Sequence, residues 1–158
     1  MGSSAQKGLA VSKHTLAILI GGVLPALLYG VAGVLQKTAS RTGIGPGPYV
    51  LIIGLVATAI GGAITLVTRD TAVTWAGGAR TAGFAVLWSA AVVAIMLALG
   101  RYEGPVSVIV PLYNMNTLIA VLLGLLVLGE WDGVNGWRLI GGAMLIVAGG
   151  ALAGTSVK

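Results

Sequence analysis

Five long apolar runs dominate the chain, separated by short segments rich in glycine, proline and charge. They cover about 15–36, 49–68, 81–99, 106–128 and 138–154, each close to the ~20 residues a helix needs to cross a bilayer. The runs are continuous and do not alternate, so the pattern predicts helices and not barrel strands. Turn chemistry punctuates them. Gly43-Ile44-Gly45-Pro46-Gly47-Pro48 leads into the second run and Gly104-Pro105 into the fourth, while Asn135 or Asp132 is placed to cap the fifth. The predicted fold is an all-α membrane protein, a compact bundle of five transmembrane helices forming a single domain over 1–158.

The first run is expected to span the membrane and not to act as a cleaved leader. Lys7 and Lys13 resemble a basic n-region, but the apolar stretch exceeds the usual ~7–15 residues and no convincing small-x-small site follows.

Composition agrees with the pattern. Of 158 residues 57% are hydrophobic and 8% charged, against the roughly one quarter charged that keeps a soluble domain wetted. The net charge of +5 does not indicate nucleic acid. Lys7, Lys13, Lys37, Arg41, Arg69, Arg80, Arg101, Arg138 and Lys158 are scattered at the edges of the runs, where they read as membrane anchors. Trp75, Trp131 and Trp137 fall at loop edges on the N-terminal side, and Tyr49 and Tyr102 on the other, as interfacial belts do. With no cysteine, one histidine and four carboxylates, the chain offers little for catalysis, so no enzyme activity, metal or cofactor is expected.

Close helix packing in lipid depends on small residues four apart. Gly22, Ala26 and Gly30 form such a stripe, as do Gly54, Thr58 and Gly62, Ala90, Ala94 and Ala98, and the pairs Gly141/Gly149 and Gly142/Gly150. Pro25 and Pro111 lie inside runs and cannot donate to the carbonyls of Gly21 and Ser107.

No charged residue lies deep within a run, which argues against a proton pump or voltage sensor. The interior polar groups are neutral. Tyr29 and Gln36 share a helical face in the first run; Tyr113, Asn116 and Thr117 share one in the fourth, with Asn114 on its flank. An unpaired amide in hydrocarbon costs several kcal/mol. Two readings stay open: inter-helix hydrogen bonding, or a substrate-binding cavity bordered by all six.

The segment Leu99-Gly100-Arg101-Tyr102-Glu103-Gly104-Pro105-Val106-Ser107 leads through Val110-Pro111-Leu112 to Leu126-Val127-Leu128-Gly129-Glu130 and then Trp137-Arg138-Leu139-Ile140-Gly141-Gly142-Ala143. This resembles the second part of an EamA domain, the repeat of the drug/metabolite transporter superfamily, over about 97–153. Pro111 and the Gly129-Glu130 pair carry the likeness; the first two runs match only in length and glycine content. The resemblance implies a transporter of a small metabolite or drug-like solute by alternating access. Its fold would be half of an inverted-repeat architecture, placed in a bacterial-type inner membrane. An odd number of spans inverts a second fused copy, so a one-copy chain needs a partner molecule. The basic residues divide five against four between the two sides, the balance of a chain indifferent to orientation, which points to an antiparallel homodimer.

One departure matters. The small multidrug-resistance branch carries a glutamate in its first helix, and none is present here. Glu130 is expected to be structural, bonding to backbone amides of the following turn. The alternative function is an accessory or half subunit of a heteromeric transporter or lipid-linked-sugar flippase. A channel or intramembrane enzyme would need filter rings or a catalytic pair, and neither is visible.

Overall fold

The structure, a computed structural model, describes residues 12–156. Lys7 and Lys158, counted above among the edge charges, lie outside the described residues. Among those described, five helices are long and apolar enough to cross a membrane: α1 (Lys13–Ser40), α2 (Pro46–Thr68), α3 (Trp75–Gly100), α4 (Val106–Leu126) and α5 (Gly136–Gly154). The protein is therefore a multi-pass integral membrane protein.

The boundaries follow local chemistry. Ser12 caps α1 by accepting from the Thr15 amide at 3.0 Å. Asn135, not Asp132, caps α5, accepting from Arg138 N–H at 3.1 Å. Pro46 and Pro48 open α2, where missing amide hydrogens cost nothing. The third helix begins six residues before the apolar run, because Thr74 caps it through the Gly77 amide at 3.1 Å. Arg80 thus sits inside the helix and not ahead of it. At 26 residues and ~1.5 Å per residue, α3 exceeds the ~30 Å hydrocarbon core, so its polar first turns extend into the interface.

The ends of α3 and α4 are built alike. Tyr102 N–H returns to Leu97 O at 3.1 Å and Gly104 N–H to Ala98 O at 2.8 Å, with Glu103 in the left-handed region at φ 54°. At the end of α4, Leu128 N–H returns to Leu123 O and Glu130 N–H to Gly124 O, with Gly129 at φ 68°. Each wrap satisfies last-turn carbonyls that membrane depth would leave without water. Gly104 has no substitute in its place. A Cβ there would stand 2.9 Å from Ala98 O and 3.1 Å from the Ile109 side chain.

The chain divides into two compact units, Met1–Gln36 and Lys37–Lys158. In the first, α1 widens to a π-helical turn at Leu19–Val23, where Leu24 N–H returns to Leu19 O. The wider turn precedes Pro25, whose ring would crowd the Gly21 carbonyl in a regular α-helix. In the second unit α2 packs on α3, α3 on the first half of α4, and both halves of α4 on α5. The buried side chains Val92, Met96, Leu99, Val108, Leu125 and Ala143 lie on these last three helices.

The small-residue stripes behave differently from expectation. Cβ atoms built on Gly54, Gly62, Gly141, Gly142 or Gly149 would meet nothing within 4 Å. Close approach occurs instead at Gly150, where a Cβ would lie 2.8 Å from both Pro111 O and Met115 Cγ, and at Gly154, 3.1 Å from Leu112. Among the stripe glycines of this unit, Gly150 is thus the one at a close contact. Helix α2 buries no residue, and its hydroxyls are satisfied within the helix: Thr58 donates to Gly54 O, Thr65 to Gly61 O and Thr68 to Ile64 O. A helix that satisfies its own polar groups is stable against lipid on every side.

Candidate functional site

The interruption of α4 is the starting point. Proline at 111 cannot donate to Ser107 O, yet the helix continues to Tyr113 before it breaks. At the break Asn114 N–H still reaches Val110 O at 3.1 Å, whereas Met115 N–H turns to Leu112 O at 3.1 Å, a tighter winding. The chain re-enters α-helix at Asn116. Thr117 Oγ1 donates to Asn114 O at 2.8 Å, supplying a partner to a carbonyl at the break. Pro111 O and Met115 are held against Gly150 of α5. The break is thereby fixed from one side by packing and from within by a hydroxyl.

The residues nominated from the sequence divide between the two units. Tyr29 and Gln36 belong to the first; Tyr29 is exposed and Gln36 half-buried. Tyr113, Asn114, Asn116 and Thr117 belong to the second and gather at the α4 break. Tyr113 and Thr117 are half-buried, while Asn114 and Asn116 are exposed. Asn116 stands at the midpoint of the span Val106–Leu126. The structure thus places two exposed amides beside a broken helix, near the middle of a helix long and apolar enough to cross a membrane.

Glu130 differs from expectation. Its carboxylate turns back over the end of α4, so that a Cβ on Gly124 would be 2.9 Å from Oε2. The following turn is organised otherwise, by Trp131 N–H to Gly129 O at 2.8 Å and by the Asn135 cap. Gly124 is buried, and its missing side chain makes the room the carboxylate occupies.

A second polar locus lies where α1 and α3 end, entirely within Lys37–Lys158. Lys37 Nζ donates to Leu99 O at 2.7 Å and to Gly104 O at 2.9 Å. A cation on the last carbonyls of a helix complements its dipole. Beside it opens a cavity of about 480 Å³ lined by Lys37, Ser40, Arg41 and Glu103 among others. Sequence reasoning took Lys37 and Arg41 only as membrane anchors. The available signal was their spacing of four across the end of α1, with Lys37 in its last turn and Arg41 just beyond it.

No family model, curated protein or solved structure matches the chain. The likeness to an EamA domain accordingly rests on the quoted residues alone.

Proposed function

We propose that the chain is one half of a membrane transporter for a small polar solute, assembled from two copies in opposite orientation and working by alternating access. The observation that carries this reading is the interrupted α4 with Asn116 exposed at the midpoint of its span. An amide left unpaired in hydrocarbon costs roughly 2–7 kcal/mol, so a second protein surface or an aqueous path must cover Asn114 and Asn116. Secondary transporters place solutes near the bilayer midplane at discontinuous helices, where irregular backbone lines a cavity. The hydroxyl of Thr117 is committed to the break. The two asparagine amides are left as the groups that recognise the solute, with Tyr113 beside them at the same break.

The resemblance to the drug/metabolite transporter repeat supports the same reading, as does the five-to-four division of basic residues. The placement in a bacterial-type inner membrane belongs to this proposal. The test attaches side-specific reporters after the last residue. Signal from both faces, driven to one face by lysines added after Arg69, fits dual insertion. A single native orientation with no oppositely biased partner chain would rule the antiparallel assembly out.

A further inference from the structure

We propose that the cavity where α1 and α3 end binds the phosphate headgroup of an anionic phospholipid. The Lys37 cation in its lining is held in place. Two of the three Lys37 ammonium hydrogens go to Leu99 O and Gly104 O, leaving one donor and the positive charge. Ser40 Oγ donates back to Lys37 O at 2.8 Å, which fixes the turn that presents the lysine. Arg41 borders the same cavity and Arg101 the adjoining one, both exposed, so three cations and one carboxylate, Glu103, line the two cavities. The local excess is positive and a phosphate would balance it.

The adjoining cavity, about 500 Å³, identifies the ligand as a lipid. It shares Ser40, Gly43 and Gly100 with the first and continues over Ile44, Pro46, Met96 and Leu97. A compartment lined by Lys37, Arg41 and Glu103 thus adjoins one that is largely apolar apart from Arg101, as a headgroup joined to acyl chains requires. Each volume falls in the roughly 300–1,000 Å³ range of small-molecule sites. Two local features shape the pair. Gly43 reverses the chain at φ 80°, and Gly100 approaches Ser40 so closely that a Cβ would lie 3.4 Å from the Ser40 Cβ. The site sits at the ends of two spans, at headgroup depth, where basic pockets between helices hold anionic lipids.

The experiment measures binding of short-chain phosphatidylglycerol and phosphatidylcholine to the purified full chain in neutral detergent, with inorganic phosphate as competitor. Binding is read without transport, so its outcome is independent of the proposed function. Phosphatidylglycerol is expected to bind roughly fivefold or more tighter than phosphatidylcholine, and Arg41→Gln with Arg101→Gln should erase that preference. Lys37→Gln removes a helix cap and is not needed for the test. Arg138→Gln, in the first turn of α5, should leave the preference intact. Equal binding of the two lipids, or equal loss in the Arg138 variant, would overturn the site. Full displacement by millimolar phosphate would overturn the lipid as its ligand and leave a free-phosphate site.

Discussion

The ammonium of Lys37 lies 2.7 Å from the carbonyl oxygen of Leu99, joining residues 62 positions apart. Leu99 is almost wholly buried, at 2% exposure, so its carbonyl has few other routes to a partner. Hydrogen bonds to a charged donor contribute about 1.5–3 kcal/mol each. Replacing Lys37 by Met, which keeps the stem and removes the donors, should lower stability by about 2 kcal/mol. Thermal unfolding in detergent checks this, with Arg41→Gln expected to stay within about 0.5 kcal/mol of the native chain. An unchanged midpoint for Lys37→Met would show the cap to be dispensable.

The α4–α5 contact depends on Gly150 having no side chain. A Cβ would stand 2.8 Å from Pro111 O, and backbone cannot step aside as a flexible side chain can. Gly150→Ala should therefore cost about 1–3 kcal/mol, the usual range for overpacking. The same change at Gly142 or Gly149, which face open space, should be neutral or slightly stabilising through helix propensity. Equal effects at all three positions would mean that α5 packs through a different face.

At Glu130 the carboxylate lies against Gly124 without organising the next turn. Glu130→Gln preserves that shape and should shift stability by no more than about 0.5 kcal/mol. Transport of a solute, once identified, should show no dependence on pH that traces to this residue. A pH-dependent rate that becomes flat in Glu130→Gln would instead make it a coupling group.

Asn116 separates folding from function. Because its side chain is exposed on the single chain, Asn116→Leu should leave helix content and the α4–α5 contact intact. Loss of one interhelical or solute hydrogen bond in the membrane, about 1–2 kcal/mol, corresponds to roughly five- to thirtyfold weaker solute binding. Uptake into proteoliposomes measures it. Unchanged uptake would remove Asn116 from the solute path.

The sequence by itself determined the number of spans, their approximate limits and the positions of Trp75, Trp131 and Trp137 at helix starts or in loops. The reason is local: in lipid every backbone group must be paired within its own segment, so length and apolarity alone define a membrane helix. The Asn135 cap and the turn at Gly104-Pro105 were legible for the same reason, since their bonds close within a few residues. Tertiary structure decided the rest. Hydrophobicity cannot distinguish a helix face that meets lipid from one that meets protein. The pattern therefore could not say that Gly150 is a contact while Gly54 and Gly62 are open. Nor could it place the break in α4 three residues beyond Pro111, at Asn114, where packing on α5 and the Thr117 hydroxyl share the freed backbone. Lys37 and Leu99 meet only because two helix ends converge, a relation across 62 positions that no local spacing encodes.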